Sequence, residues 1–232
     1  MHGSLAALEA VVADLERRAV DEVVHGGDLA LMGAQPAEVV DRIRELGWPG
    51  VVGNTDELLW RPESRDGEVA RAPRIAAHVR RLFDDYAPAT RELLGDDRLA
   101  WLRTLPEQYR VGDLVVVHAT PGDLWRAPMP AAEEGELLAA YAECDARQVV
   151  YGHIHRPYVR EVGDRVIANS GSVGLPWDGD PRPAYVLVED DGQRVVRVDH
   201  DVEREARRLA ASGYPDAERL SEMRRRGRFV PL

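Results

Sequence analysis

Two histidines one residue apart, His153 and His155, follow the apolar run Val149-Val150-Tyr151 and the glycine Gly152. In an extended backbone residues i and i+2 share a side, so the two imidazoles can aim at one point, as metal ligands do. The same spacing also suits exposed turn residues. Three further apolar runs end in a comparable way, at Val23-Val24-His25-Gly26-Gly27-Asp28, Val51-Val52-Gly53-Asn54-Thr55-Asp56 and Leu114-Val115-Val116-Val117-His118. With His2, these ends offer imidazoles from His2, His118, His153 and His155, a carboxylate from Asp28 and an amide oxygen from Asn54. Such a mixed nitrogen and oxygen set suits Mn, Fe, Co or Zn better than Mg or Ca. It also exceeds what one ion requires. A carboxylate can bridge two ions, and two metals about 3.5 to 4 Å apart clamp an in-line displacement at phosphorus. Glycines beside the ligands fit sharp turns and close approach of an anion.

The elements that must hold these residues are legible in part. Ser4 is a suitable N-cap, and Leu5, Leu8, Val11, Val12 and Leu15 recur at helical spacing. In a βαβ alternation a strand precedes such a helix, and here the chain enters the helix directly. Val20 to Val24 reads as a short buried strand. A helix from Pro36 carries Val39, Val40, Ile43 and Leu46 and stops at Gly47, and Val51-Val52 is the next strand. From Glu57 to about Pro106 polar helices run without a strand, including Arg74 to Tyr86 and a short one marked by Leu99, Leu102 and Leu105. This stretch reads as a helical insertion, about 57–106, in a single domain spanning 1–232, with Arg61 to Ala72 as a mobile connector. Three hairpins follow, turning at Gly112-Asp113, Gly163-Asp164 and Asp190-Asp191-Gly192, with a helix from Ala131 to Cys144 between the first two. Two Arg-rich helices, Glu203 to Ala211 and Ala217 to Arg226, read as solvated amphipathic faces.

Composition narrows the function classes. A chain of 232 residues that is 44% hydrophobic can bury a substantial core. Its net charge of -11 disfavours a nucleic-acid or anionic-membrane partner. All 30 basic residues are arginine, a coding bias rather than a functional sign. The single cysteine, Cys144, excludes an internal disulfide and a cysteine-based zinc site and suits a reducing compartment. No run approaches the roughly 20 apolar residues of a membrane span, and no signal-peptide pattern is present. A cytoplasmic protein is expected.

In their order, His2-Gly3, Gly27-Asp28, Gly53-Asn54-Thr55-Asp56, Val117-His118 and Gly152-His153-Ile154-His155 resemble the calcineurin-like metallophosphoesterases. The pattern of that superfamily is D-x-H, G-D, G-N-H-[DE], an isolated H and G-H-x-H, and the chain looks most like its small bacterial and archaeal phosphodiesterase branch. Asn169-Ser170-Gly171-Ser172-Val173-Gly174 is similar to the branch's N-P-G-S-V-G, so the likeness runs from residue 2 to about Gly174. It implies a four-layer α/β/β/α sandwich of two mixed β-sheets flanked by helices, here without its first strand. It implies that His2, Asp28 and His155 hold one metal and that Asp28, Asn54, His118 and His153 hold a second, with Asp28 bridging. Manganese is the first choice, with Fe, Zn, Co or Ni as alternatives.

The chain departs from the pattern twice. The aspartate of D-x-H belongs two residues before His2, with Met1 between, so that ligand and its strand are absent. We therefore expect the natural chain to begin several residues upstream. Thr55 replaces the histidine of G-N-H, which in the family assists the leaving group; a threonine hydroxyl does not titrate near neutral pH and cannot do this. Asp56 is expected either to act as an alternative acid or to orient a histidine ligand.

The expected function is hydrolysis of phosphodiesters or small phosphomonoesters by hydroxide held at the two metals. Alternatives are a protein or dinucleotide-polyphosphate phosphatase and, from another class, a non-catalytic scaffold on the same fold, which predicts an apolar patch on the C-terminal hairpins. Arg156 could face a substrate phosphate or a surface ion pair. His25 and His78 read as packing or surface histidines, Tyr151 as packing, and Trp60, Trp125 and Trp177 as core or groove residues. A homo-oligomer is left open.

Overall fold

The computed structural model describes residues 1–189 and 192–231. Helix α1, Leu5–Arg18, buries Leu8, Val11, Val12 and Leu15 as its periodicity requires. Ser4 occupies its N-cap position, yet the hydroxyl makes no capping bond. Helix α2, Pro36–Leu46, has proline in its first turn and ends at the left-handed Gly47. A single turn, α3 (Asn54–Glu57), comes next, and then a run of helices: α4 (Arg65–Arg71), α5 (Ala76–Arg81) and α6 (Ala87–Leu102). The helix expected over Arg74 to Tyr86 is broken into a 3-10 turn at Pro73–Ile75, α5 and a π segment at Leu82–Tyr86. The separate helix expected around Leu99 is the end of α6, which kinks at Gly95.

Strands β1 (Gln108–Val111) and β2 (Leu114–Val117) form the first hairpin. Helix α7, Glu134–Ala140, and a 3-10 turn at Ala142–Cys144 lead to β3, Gln148–Tyr151. The hairpin β4 (Tyr158–Val162) and β5 (Arg165–Asn169) follows, then β6 (Ala184–Glu189) and β7 (Gly192–Arg197), then helices α8 (Val202–Ala210) and α9 (Ala217–Arg226). Of the third expected turn, residues 190 and 191 lie outside the described residues.

The main sheet is mixed, in the order β1-β2-β3-β5-β4, with parallel pairs at β2-β3 and β3-β5. Alternation sends Val115, Val117, Val149, Tyr151 and Ile167 to one face, where Leu137, Tyr141 and Cys144 cover them. Val116, Val150 and Ala168 point the other way, toward Val51, Val24 and Val186. Beyond these, Ala7, Val11 and Leu15 of α1 pack near Val173, Val198 and Tyr185. The result is a mixed α/β fold in which helices flank two β layers.

The second β layer is sparser than expected. It consists of the antiparallel pair β6-β7 and one parallel bridge, His25 to Gly50. Val20 to Val24 forms no regular strand; among the described residues the pairing starts only at His25, whose N–H donates to the Pro49 carbonyl and whose carbonyl accepts from the Val51 N–H. Beside it lies a cavity of about 990 Å³, bounded by residues 20–28, by residues 184–189 of β6 and by Val116 and Val150 of the main sheet. Among the described residues no helix is long and apolar enough to cross a membrane.

Candidate metal centre

Register decides where the ligand types meet. Val117 of β2 pairs with Tyr151 of β3, and Tyr151 pairs with Asn169 of β5, so three parallel strands end at one level. His118 follows the first and the Gly152 turn the second, at the carboxyl edge where α/β sheets carry their sites. Asn169 pins that turn by donating its amide to the Gly152 carbonyl and accepting from the Gly171 N–H. The bridge at His25 and Gly50 brings the Asp28 and Asn54 loops to the same edge. Their approach is close: a side chain on Gly53 would collide with the Asp28 carboxylate, and one on Gly27 with the Gly53 backbone.

Four of the candidate ligands hold left-handed backbones, with φ of 54° at His2, 54° at Asp28, 60° at His153 and 55° at His155. Non-glycine residues avoid this region, and its concentration at one place is the mark of a site that dictates geometry to its backbone. It also corrects the expectation for the histidine pair. Beyond Tyr151 the chain is no longer extended, so His153 and His155 do not converge on one point. They serve opposite sides of Asp28.

On one side, His2, Asp28 and His155 each present a ligand atom, all within 4.8 Å of one another. His2 Nδ1 meets the Leu31 carbonyl at 3.0 Å and His155 Nδ1 meets the Leu175 carbonyl at 2.7 Å. A carbonyl only accepts, so these partners assign the proton to Nδ1 in both rings and leave each Nε2 with a lone pair. The two Nε2 atoms nevertheless face each other at 3.1 Å, and Asp28 Oδ2 is 3.5 Å from that of His2. Three electron-pair donors converge with no proton between them.

On the other side, His118 gives its Nδ1 proton to the Gly26 carbonyl at 2.7 Å, which frees Nε2 to lie 2.9 Å from Asn54 Oδ1 and 3.5 Å from Asp28 Oδ1. His153 Nδ1 is 3.1 Å from the same Asn54 oxygen. Asp28 thus turns one oxygen to each cluster. Three of the four imidazoles donate their remote N–H to a backbone carbonyl, the arrangement that fixes ring orientation and raises basicity in metal-binding histidines.

The electrostatics agree. Burial, then the N-terminal ammonium, lowers the His2 pKa to about 3; burial, then His118, lowers that of His153 to about 4; burial, then His2, holds His155 well below its ordinary value. These rings are neutral at neutral pH and their lone pairs are available. Burial alone would raise the Asp28 carboxyl, but His118, His2, His155 and the Thr55 side chain together hold it well below the usual range. Neutral imidazoles around a carboxylate form a donor set that fits divalent transition metals.

Asp56 hydrogen-bonds to backbone and, among the described residues, to no histidine. Its two oxygens accept from the Leu29 N–H at 2.9 Å and the Gly53 N–H at 3.1 Å, and it is fully buried. It ties the Asp28 loop to the Asn54 loop. Burial, then the Asp28 charge, pushes its pKa up to about 6. Arg156 is exposed directly after the pair. Trp177 packs against the His155 ring with centroids 4.2 Å apart and planes tilted by 39°, Trp125 stacks on Phe83 at 5.8 Å, and Trp60 packs against the core. Tyr151 packs and donates to the Pro128 carbonyl. Backbone carbonyls such as Leu31 and Leu175 leave no trace in residue type, and so escape a reading of sequence.

Residues 1–193 match the model of the calcineurin-like phosphoesterase superfamily domain. A crystal structure of a metallophosphoesterase from Sphaerobacter thermophilus is similar over 97% of this chain and 96% of that one, with a TM-score of 0.76 and 26% identity. An uncharacterised protein of Methanocaldococcus jannaschii is 26% identical over 93% of this chain and 91% of its own length. A symmetrical bis(5'-nucleosyl)-tetraphosphatase of Methylococcus capsulatus is 33% identical over 55% of this chain and 42% of its own. The chain belongs to the calcineurin-like phosphoesterase superfamily of hydrolases.

Proposed function

We propose that the chain is a metal-dependent phosphoesterase with two divalent ions, manganese foremost, that hydrolyses phosphodiesters or small phosphomonoesters in the cytoplasm. The observation that carries this reading is the pair of Nε2 lone pairs of His2 and His155 facing each other beside Asp28, a contact that a bound cation makes favourable. His2, Asp28 and His155 would hold one ion and Asp28, Asn54, His118 and His153 the other. Ions held there supply positive charge against the phosphoryl oxygens and a source of hydroxide at neutral pH.

The chain's own residues do the rest. Asp28 keeps the two clusters in register through its two oxygens. Asn54, at the start of α3, adds a neutral oxygen that leaves the site less negative toward an anionic substrate. Arg156, exposed beside His155, would meet a substrate phosphate. Thr55 offers a hydroxyl with no titration near neutrality, so the leaving oxygen must take its proton from solvent, which favours esters of acidic alcohols such as phenols.

The tetraphosphatase relative keeps dinucleotide polyphosphates in view as substrates. The scaffold reading finds less support: of the exposed large hydrophobics among the described residues, only Val188 lies on the C-terminal hairpins. The test is metal content and hydrolysis of a bis-aryl phosphodiester, an aryl monoester and diadenosine tetraphosphate on one preparation given manganese. Bound metal with turnover of any of them supports the reading and orders the substrates. A preparation that binds no manganese, iron, zinc, cobalt or nickel overturns the ligand assignment.

A further inference from the structure

Helix α9 is Arg-rich, and its sequence suggests a solvated face, yet Arg224 is only 3% exposed. Burying a guanidinium is costly unless its donors are used. Here burial lowers its pKa to about 10, with the buried Glu205 carboxylate on α8 offsetting part of that effect, so it stays charged at neutral pH. Its Nη2 donates to two backbone carbonyls, His2 at 3.0 Å and Met32 at 2.9 Å. The first belongs to a residue of the metal centre. The second belongs to the residue after Leu31, whose carbonyl orients the His2 ring.

One nitrogen therefore joins the backbone of His2 to the loop that aims its imidazole. Both His2 and Met32 hold left-handed backbones, with φ of 54° and 70°, conformations that persist only when surrounding contacts over-determine them. A side chain on Gly33 would collide with the His2 carbonyl, so the arginine meets two strands of backbone packed without intervening side chains. Sequence separations of 222 and 192 residues place this staple at the far end of the chain from the ligand it holds.

We infer that Arg224 is a positioning residue for the His2 cluster: it fixes the direction of His2 Nε2, so that α9 sets the affinity of one metal site and not of the other. This rests on the two-metal reading of the centre. The test is a titration of metal-free protein with Co(II), followed by its visible absorption and by calorimetry, for the wild type, Arg224→Met, Arg224→Lys, His2→Ala and the Arg224→Met/His2→Ala double variant.

The wild type is expected to bind two ions. Arg224→Met should weaken one by tenfold or more while the other stays within threefold. Arg224→Lys, which can reach one carbonyl with a single ammonium, should recover part of that loss. Because both substitutions act on the same cluster, the double variant should bind like His2→Ala alone. Two equal, unchanged sites in Arg224→Met and Arg224→Lys overturn the inference. So does parallel weakening of both sites that Ser221→Ala reproduces, since Ser221 is buried on the same helix and bonds to the Ala206 carbonyl instead. If Arg224→Met does not fold, Arg224→Lys carries the comparison. Failure of the wild type to bind any Co(II) overturns the metal reading itself and is thereby distinguished from failure of Arg224.

Discussion

The Thr55 N–H donates to Asp28 Oδ1 at 2.9 Å, while among the described residues its buried hydroxyl has no hydrogen-bond partner. The hydrogen bond to the Asp28 carboxylate thus comes from backbone that any residue type at position 55 retains. Exchange of its side chain should leave the Asp28 contact intact. Thr55→His is expected to keep metal binding and to raise rates on alkyl esters by on the order of 10²-fold, the lower end of what a positioned general acid contributes. Aryl esters, whose leaving groups need little help, should change by a few-fold at most. An unchanged ratio of alkyl to aryl rates would rule the account out.

Two buried histidines outside the ligand set should make the fold sensitive to acid. His25 and His78 are 2% and 7% exposed, with Nδ1 unpartnered in both and Nε2 also in His25. Burial, then the N-terminal ammonium, lowers the first to about 3; burial, then Arg219, lowers the second to about 4. Each ring binds its proton more readily unfolded, near pH 6.5, than folded. Stability is therefore complete above about 6.5 and is lost as pH falls toward 4 and then 3. The loss reaches a few kcal/mol per ring by order of magnitude, since a tenfold difference in proton affinity between the folded and unfolded chain corresponds to about 1.4 kcal/mol. Urea midpoints between pH 4 and 7 should show this slope, shallower in His78→Phe. An identical slope in that variant would assign the acid sensitivity elsewhere.

Tyr214 supports the same loop from below. Its hydroxyl accepts from the Met32 N–H at 3.0 Å and lies 2.7 Å from the Thr90 hydroxyl, all three groups being buried. Tyr214→Phe strands a buried N–H, a change that costs about 1 to 3 kcal/mol. Chemical denaturation of the metal-free protein should show a loss in that range. A change below about 0.5 kcal/mol would mean that the Met32 N–H finds another acceptor.

The candidate metal centre was legible because its candidate ligands are rare residue types at strand ends, and strand ends at one sheet edge meet in space. His118 and Asn54 could be placed that way from the sequence. The division of His153 and His155 between two clusters was implied by the family resemblance and not by spacing, because the i, i+2 rule assumes an extended backbone and these residues turn left-handed after Gly152. The roles of Asp56 and Arg224 were hidden for a related reason: each bonds backbone atoms of distant residues, and backbone atoms carry no sequence signal. The broken helix around α5 and the π segment answers to packing of Val79, Leu82, Phe83 and Tyr86 on the core, which tertiary contacts decide over propensity.

The cavity beside residues 20–28 yields the last prediction. Its walls are two segments whose backbones lack a neighbour on that side, and its floor is Val116 and Val150. Met1 and His2 line it too, so a segment added ahead of Met1 tests whether the cavity can be filled. An extended segment of alternating apolar residues, with aspartate two positions before His2, should fill it and add a carboxylate to the His2 cluster. Each apolar side chain buried there contributes about 1.5 to 3 kcal/mol, against about 1 to 2 kcal/mol of backbone ordering per residue. Those terms nearly offset, so the gain should come from the added carboxylate and appear mainly with metal present, as a rise in the thermal midpoint that grows with metal concentration. Changing the new aspartate to asparagine should remove most of the metal-dependent part. If the extended protein melts at the same temperature as the parent at every manganese concentration, the cavity does not take a strand.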